Sequence, residues 1–274
     1  MEEESREFYL NLMKRCLTNY IYGDSEYKYI VKSRNWLTKF VLKIFNFFNF
    51  QIIRFIPFDE DKRIEGRDWP PPPFAHSMIG LKRLDNIQFC VEDILCNHIP
   101  GDLIEAGIWR GGGTIFMRAV LRAYGANDRM IWAADSFEGL PTPKTAIYPH
   151  DKDMKLHKVG ELAVPLDVVK RNFTRYGLLD ENVKFIIGWF SESLPNAPID
   201  KLALIRIDAD MYESTMDVLV NLYPKLSIGG YLIVDDYGDL SSCKQAVDDF
   251  RDKNSINEQI KWIDQSGIYW KKQK

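Results

Sequence analysis

Four aspartates follow two apolar runs in the second half of the chain. Asp208 and Asp210 come after LALIRI, and Asp235 and Asp236 end YLIVDD. In a strand, side chains two residues apart project to the same side and adjacent ones to opposite faces, so the second pair can share a site only if the strand turns near Val234. Converging carboxylates without a compensating lysine repel one another unless a cation is present, and an all-oxygen set favours Mg²⁺, Ca²⁺ or Mn²⁺. The spacing predicts a divalent-cation site, with Mg²⁺ as the first choice.

A glycine-rich turn, EAGIWRGGG at 105–113, follows an earlier apolar run. Its spacing differs from the GxGxxG fingerprint of dinucleotide-binding proteins, so a diphosphate is not the favoured ligand. Glu105 would repel a phosphate but can position an ammonium group, and the following helix N-terminus can receive a carboxylate. The methionine part of S-adenosylmethionine carries both groups.

Two further strand ends carry residues suited to a nucleoside. Asp135 ends a strand where an acid can accept hydrogen bonds from both ribose hydroxyls. Trp189 and Phe190 follow Gly188 after the next strand and can flank an adenine ring, or they can equally be core aromatics.

These positions imply a sheet whose strand ends meet. Short β-rich runs alternate with amphipathic stretches from about residue 100, which predicts a doubly wound, mostly parallel α/β sheet with its ligand beyond the carboxyl ends of the strands. We expect an edge strand at 268–270 and helices at 112–124, 161–177, 213–226 and 241–253.

The region before this sheet differs in pattern. Residues 5–33 have helical spacing, 36–58 are mostly apolar, and 70–73 are four prolines that predict an extended connector. We therefore expect an N-terminal helical and apolar segment, 1–73, and a catalytic domain, 74–274.

The apolar stretch 36–58 contains Lys39, Lys43 and Arg54 among its apolar residues, so a membrane-spanning helix is not expected. Two interpretations stay open. The stretch can cover the active site or a partner copy, which is the favoured one, or it can form an interfacial helix that contacts a membrane surface.

Composition limits the partners and the compartment. The 274 residues are 46% hydrophobic with a net charge of −3, which gives no general attraction for nucleic acid. Four cysteines form no CxxC pair and the N-terminus lacks the pattern of a secretory signal, so we expect a cytoplasmic protein with free thiols. The long segment 141–160, with His150 and His157, is interpreted as a lid.

Several segments together resemble the macrocin-type O-methyltransferases, metal-dependent enzymes that methylate sugar hydroxyls of macrolides and related antibiotics. The resemblance covers FYLNLMKRCLTNYIYGD, AHSMIGLKRLDNI at 75–87, LIEAGIWRGGGTIFMRAVL at 103–121, WAADSFEGLPTP at 132–143, IRIDADMYESTMDVLVNLYPKLSIGGYLIVDDY at 205–237 and CKQAVDDFR at 243–251. It implies the class I methyltransferase fold, S-adenosylmethionine as cofactor, and a homo-oligomer.

The resemblance also implies roles for individual residues. Asp208, Asp235 and Asp236 would hold Mg²⁺, and Asp210 would act as the base toward the substrate hydroxyl. The cofactor would be bound by Ser77, Met78, Glu105, Gly107, Asp135 and Ser136. Gly188, Trp189 and Phe190 are further candidates because of their position after a predicted strand.

The expected substrate is a small molecule with a hydroxyl, in the first place a sugar of a glycosylated natural product. The stretch 36–58 is longer than the resemblance implies, which leaves a polyketide or lipid-like hydroxyl as the alternative. A non-catalytic cofactor-binding protein or a membrane-associated assembly protein is the alternative of another class. A nicotinamide-dependent oxidoreductase would require the GxGxxG spacing that the turn at 107–113 lacks.

Overall fold

The computed structural model describes residues 2–23, 25–29, 35–66 and 72–274, with the backbone alone for 25–29. The strands are β1 (Ser25–Tyr29), β2 (Ile53–Pro57), β3 (Asp102–Ala106), β4 (Ile131–Asp135), β5 (Val183–Ile187), β6 (Leu202–Ile207), β7 (Leu226–Val234), β8 (Lys261–Trp262) and β9 (Ile268–Lys271). The α-helices are α1 (Glu2–Leu17), α2 (Trp36–Phe47), α3 (Glu60–Glu65), α4 (Leu81–Cys96), α5 (Gly112–Ala123), α6 (Leu166–Arg175), α7 (Phe190–Ser193), α8 (Tyr212–Leu222) and α9 (Ser241–Lys253).

Seven strands form one sheet in the order β5-β4-β3-β6-β7-β9-β8. The first five are parallel, and β9 and β8 pair antiparallel at one end. The chain moves outward from β3 through β4 to β5 and then returns to place β6 on the other side of β3. The strand order therefore reverses between β3 and β6, which is where a doubly wound sheet binds its ligand.

Apolar side chains cover both faces of this sheet. One core contains Leu10, Leu17 and the buried side of α5, and the other contains residues of α8, α9 and the opposite faces of β6 and β7. All six residues of β6 are buried, as expected for a central parallel strand packed on both sides. The doubly wound α/β sheet predicted from the sequence is confirmed.

Most predicted elements are close to the observed ones. Helix α9 has the predicted bounds, and α5 ends one residue early. Helix α6 begins only at Leu166, because Pro165 favours extended backbone and can precede a helix but not sit inside it. The strand at Ile268–Lys271 lies inside the sheet, since the short β8 pairs with its outer side.

The N-terminal region departs from the expectation of a helix over residues 5–33. Helix α1 ends at Leu17, and Ser25–Tyr29 forms a strand that pairs antiparallel with Ile53–Pro57. Helix α1 also packs into the main core through Leu10 and Leu17. The division at residue 73 stays a prediction, and Pro70 and Pro71 of the expected connector lie outside the described residues.

The apolar stretch folds as helix α2, a turn and strand β2. None of the twelve residues of α2 is buried. Within the described part of the chain, no helix is long and apolar enough to cross a membrane.

Candidate active site

Three bulky or charged residues have left-handed backbone just beyond three neighbouring strands. Trp109 follows β3 with φ 49°, Phe137 follows β4 with φ 60°, and Asp210 follows β6 with φ 57°. Each such conformation costs about 1–3 kcal/mol for a residue other than glycine, and strained residues of this kind concentrate at functional sites. The strain marks the carboxyl edge of the sheet, at the reversal of strand order.

Gly107 allows the loops after β3 and β6 to approach each other. Its φ is +88°, and a Cβ there would lie 1.7 Å from the backbone oxygen of Asp208. Any side chain at this position would push the two loops apart. The glycine of the sequence pattern is therefore required by contact between two strand ends.

A cavity of about 400 Å³ opens at this edge. Its size lies within the range of small-molecule and cofactor sites. The residues that line it come from the loop before α4, from the loops after β3, β4, β5 and β6, from the start of α8 and from the segment after residue 138: Met78, Gly107, Trp109, Asp135, Ser136, Gly139, Leu140, Pro141, Thr142, Lys144, Leu162, Gly188, Trp189, Phe190, Ser191, Glu192, Asp208, Ala209, Asp210, Glu213, Ser214 and Asp217.

Asp135 holds two of these loops together. Its carboxylate accepts backbone N–H groups of Ile108 at 2.8 Å, Trp109 at 3.3 Å and Phe137 at 2.8 Å. Burial raises the pKa of Asp135, while these backbone donors favour its charged form. Ser136 lines the cavity but donates its hydroxyl to the carbonyl of Gly139 at 2.7 Å. Both residues lie where the sequence placed them, at the end of β4.

Glu105 lies beneath the cavity and not on its lining. It is 2% exposed, accepts a hydrogen bond from Thr114 and lies 2.5 Å from an Arg206 guanidinium nitrogen. A Cβ on Gly113 would meet the Glu105 carboxylate at 2.3 Å. The glycine-rich turn therefore packs closely on the protein's own buried acid at Gly113.

The remaining cofactor candidates are of two kinds: some line the cavity, and one is buried behind it. Trp189, Phe190 and Gly188 line the cavity, and Phe190 also packs against the core; the contact of this aromatic pair with adenine stays a prediction. Met78 lines the cavity as well. Ser77 is buried behind it, where its hydroxyl donates to the carbonyl of Ile79 at 3.3 Å.

Three carboxylates come together at the ends of β6 and β7. One oxygen each of Asp208, Asp210 and Asp236 lies within 4.8 Å of the other two, and all three residues are half-buried. The Oδ2 atom of Asp236 is buried and has no hydrogen-bond partner among the described residues. Burial and the carboxylates of Asp235 and Asp135 raise the pKa of Asp210 to about 7. This acidic trio has the donor set of a hard cation such as Mg²⁺.

Asp235 is placed differently from the sequence-based expectation, because it is not part of the acidic trio. It is 5% exposed, accepts a hydrogen bond from Arg206 and lies 2.5 Å from a guanidinium nitrogen of Arg83. Asp264 binds the same Arg83 at 2.7 Å, so the two arginines neutralise a buried acidic layer. The strand does not turn to bring both aspartates to one site; Asp235 points into the layer and Asp236 toward the trio.

Arg206 links this layer to the trio. It is fully buried in β6 and lies 3.1 Å from Asp208 Oδ2 in addition to its contacts with Glu105 and Asp235. The sequence contains it inside the run LALIRI, and a charged residue in an otherwise apolar buried strand is the signal that could have identified it.

A second cluster of charged side chains lies on the cavity wall, and the sequence analysis did not predict it. Glu213 and Asp217 extend from the first turns of α8, and Lys144 lies 2.6 Å from Glu213 Oε1. The other oxygen, Oε2 of Glu213, is buried without a hydrogen-bond partner among the described residues. Burial and the Glu213 carboxylate raise the pKa of Asp217 to about 6.

The segment 141–160, interpreted as a lid, is anchored to the helices around the cavity. Asp151 is fully buried and accepts backbone N–H groups of Tyr212 at 2.8 Å and Glu213 at 3.2 Å, which caps the start of α8. The His150 ring stacks on Tyr212, and its carbonyl accepts the Ser242 hydroxyl at 2.8 Å. Trp109 donates to the carbonyl of Glu161 at 2.9 Å.

Comparison with known families agrees with this geometry. Residues 6–272 match the family described as Macrocin-O-methyltransferase (TylF). The chain belongs to this family. It is therefore an O-methyltransferase with the class I methyltransferase fold, as the resemblance implied.

Two O-methyltransferases of Streptomyces species are similar to this chain in sequence. The chain is 48% identical over 272 residues to 8-demethyl-8-(2,3-dimethoxy-alpha-L-rhamnosyl)-tetracenomycin-C 4'-O-methyltransferase of Streptomyces olivaceus, with 99% of this chain and 95% of that protein covered. It is 53% identical over 214 residues to demethyldecarbamoylnovobiocin O-methyltransferase of Streptomyces niveus, with coverage of 78% and 81%.

A solved structure of the family has the same architecture. The O-methyltransferase NovP superposes with a TM-score of 0.84 at 45% sequence identity, covering 98% of this chain and all of that one.

Proposed function

We propose that this family member transfers the methyl group of S-adenosylmethionine to a sugar hydroxyl of a glycosylated natural product, with the help of a divalent cation, in the first place Mg²⁺. The observation that carries the proposal is a cavity shared by the loops after β4 and β5 and by the carboxylates after β6. An in-line methyl transfer needs such a shared space, because the acceptor oxygen must approach the methyl carbon to roughly 3 Å.

We assign the nucleoside to the side of the cavity formed by β4 and β5. The backbone donors fix the orientation of Asp135, and the weakest of them is the 3.3 Å contact from Trp109. A carboxylate has about four lone-pair sites, so Asp135 keeps capacity for ribose hydroxyls. Trp189, Phe190 and Met78 supply apolar surface for the adenine ring and the methionine chain.

We assign the cation to Asp208, Asp210 and Asp236, which replaces Asp235 of the sequence-based set by Asp210. The fit is supported by the all-oxygen donors and by the buried, unpartnered oxygen of Asp236. Neighbouring carboxylates without a neutralising partner are costly, and a bound cation removes that cost. Asp235 forms ion pairs with two arginines, Arg83 and Arg206. It therefore acts on the trio indirectly, through Arg206, which also contacts Asp208.

Residues of the chain then divide the remaining tasks. When bound, the cation would act as a Lewis acid on the acceptor hydroxyl, and S-adenosylmethionine would supply the methyl group. Asp210 both belongs to the acidic trio and lines the cavity, so we retain it as the proposed acceptor of the hydroxyl proton. Arg206 holds Asp208 through one carboxylate oxygen and leaves the other for the cation.

A sugar acceptor is supported by the polar wall beside the trio. Thr142, Lys144, Glu213 and Asp217 place a hydroxyl, an ammonium and two carboxylates around the same cavity. Groups of this kind suit an acceptor with several hydroxyls better than an apolar one. The relative of Streptomyces olivaceus acts on a rhamnosyl group, which agrees with this choice.

Labelled methyl transfer to matched acceptors tests the proposal. Purified full-length protein is supplied with methyl-labelled S-adenosylmethionine and with a rhamnosylated polyketide or its aglycone. We expect label in the glycoside alone, loss of transfer after EDTA and recovery with Mg²⁺. Asp135→Ala should weaken cofactor binding by about 1–3 kcal/mol in calorimetry, and exposed Asp128→Ala should not.

Each part of the proposal can fail separately. Label in the aglycone but not the glycoside would contradict the sugar assignment. Full turnover after rigorous chelation would contradict the cation, and unchanged cofactor affinity of Asp135→Ala would reject the ribose assignment.

A further inference from the structure

Residues 36–58, which we call the apolar arm, expose an unusual amount of apolar surface. Phe47 is 82% exposed, Trp36 71% and Phe55 65%. Among the described residues, 11 of the 23 exposed large apolar side chains fall between positions 36 and 55. Single exposed apolar residues are ordinary, but a continuous patch of this kind marks a surface that binds something.

The charges of the arm are all of one sign. Lys39, Lys43 and Arg54 are exposed, and no aspartate or glutamate occurs from position 35 to position 58. The whole chain has a net charge of −3, so this local excess runs against the overall balance. A surface that combines aromatic groups with positive charge is complementary to one that combines apolar and negative groups.

Helix α2 separates these two properties onto different faces. Lys39, Lys43 and Asn46 follow one another at spacings of four and three residues and therefore share one face. Trp36, Phe40, Ile44 and Phe47, at spacings of four, four and three, lie together on an adjacent apolar face. A twelve-residue helix with this division can lie in the plane of a bilayer with its apolar side among the acyl chains. Lysine stems can then extend along that surface and place their ammonium groups among the headgroups.

We propose that the apolar arm binds the enzyme peripherally to an anionic lipid surface. A second copy of the chain fits the observations less well. A symmetric contact between two arms would offer Lys39 and Lys43 no acidic partner from the other arm, because residues 36–58 contain no aspartate or glutamate. An anionic bilayer satisfies the charge and the apolar area at the same time. The proposal does not depend on the acceptor of the methyl group.

Vesicle flotation with the full-length protein tests the proposal. The probes are vesicles of phosphatidylcholine alone and of phosphatidylcholine mixed with phosphatidylglycerol. We expect binding to the anionic vesicles that weakens with added salt. The double variant K39E/K43E should reduce this binding by at least about tenfold, since each basic residue near an anionic surface contributes about 1 kcal/mol.

A matched control distinguishes a specific arm from a general charge effect. K184E/K253E makes the same charge change at two exposed lysines outside the arm and should bind as the wild type does. The apolar contribution is tested with F40S/F47S, which changes side chains that are not buried and should fold normally. Anionic vesicles should change the tryptophan fluorescence of the wild type, and W36F should lack that part of the change.

Three results would overturn the proposal. One is the absence of binding to anionic vesicles at low salt, and another is an equal loss of binding in both charge variants. The third is a dimer, measured by analytical ultracentrifugation, that F40S/F47S converts to a monomer while flotation is negative; the arm would then be an interface between copies.

Discussion

Asp235 and Asp236 are neighbours in the sequence but have opposite surroundings. Asp235 is buried between Arg83 and Arg206, whereas Asp236 faces Asp208 and Asp210 with one oxygen that has no partner among the described residues. Both follow directly after the same strand, β7. The difference teaches that the acids around this site belong to two classes: those neutralised by arginines or backbone N–H groups, and those without an ion-pair partner among the described residues, for which we propose a ligand.

Other acids divide along the same line. Glu105, Asp264 and Asp151 are buried and engaged by arginines or by backbone N–H groups. Asp210 and Asp217 line the cavity and Asp236 lies beside Asp210 in the trio; none of the three makes an ion pair within the described part of the chain. Asp208 belongs to both classes, since one of its oxygens contacts Arg206. Neutralised acids should therefore affect stability, and the others activity.

The largest expected effect is on the Mg²⁺ requirement, when Asp236, the acid after β7 that has no ion-pair partner among the described residues, is replaced. Asp236→Asn should raise the Mg²⁺ concentration for half-maximal activity by more than about 100-fold, because the proposed cation would lose a charged ligand. Its thermal stability should stay near that of the wild type or rise, since repulsion within the trio decreases.

Asp235→Asn is the adjacent control for this prediction. It should lower stability, because Arg83 and Arg206 lose a common partner, and metal dependence should change less. A metal requirement that shifts equally in both variants would remove the distinction between the two aspartates. The readouts are a Mg²⁺ titration of turnover and a thermal melt.

Arg206→Met tests the neutralised class at its centre. Removing this guanidinium leaves Glu105 buried without an ion-pair partner among the described residues and Asp235 with Arg83 alone, so the free energy of unfolding should fall by about 3–5 kcal/mol. Urea denaturation measures the change. Exposed Arg171→Met, which breaks only a surface pair with Asp167, should cost less than about 1 kcal/mol. Equal losses in the two variants would show that the layer is not needed for stability.

The sequence predicted the sheet and the acids at its edge, but not their division. The alternation of side chains along a strand places Asp235 and Asp236 on opposite faces. Only the tertiary structure, however, brings Arg83, 152 positions away, to Asp235. The strand at residues 25–29 was missed for a similar reason, because its partner at residues 53–57 lies beyond an inserted helix. Local pattern predicts elements well, whereas pairing between distant segments depends on the whole fold.

Asp151 offers a smaller test of the neutralised class, in which the partner is a helix N-terminus. Asp151→Ala should lower stability by about 1–2 kcal/mol, because α8 loses its cap and the segment 141–160 loses an anchor. Urea denaturation gives the free energy, and limited proteolysis should show earlier cleavage within 141–160. Exposed Asp153→Ala in the same segment is the control and should leave both unchanged.

The smallest expected effect concerns Asp217, an acid of the second class whose charge is disfavoured by burial and by Glu213, with Lys144 in partial opposition. Its pKa is raised to about 6, from 3.8 in an unfolded chain, so the folded state binds this proton more tightly. The contribution to stability is therefore complete below about pH 4 and is lost as the pH rises through 6. Because Asp217 is only half-buried and solvent screens its charge, the wild type should lose at most about 1 kcal/mol of unfolding free energy between pH 5 and pH 8 that Asp217→Asn does not lose. Urea denaturation at both pH values measures this difference, with exposed Asp252→Asn as the control. If the wild type and Asp217→Asn show the same pH dependence, folding does not change the pKa of Asp217. The charge of Asp217 would then be compensated by the folded protein, as that of Asp235 is.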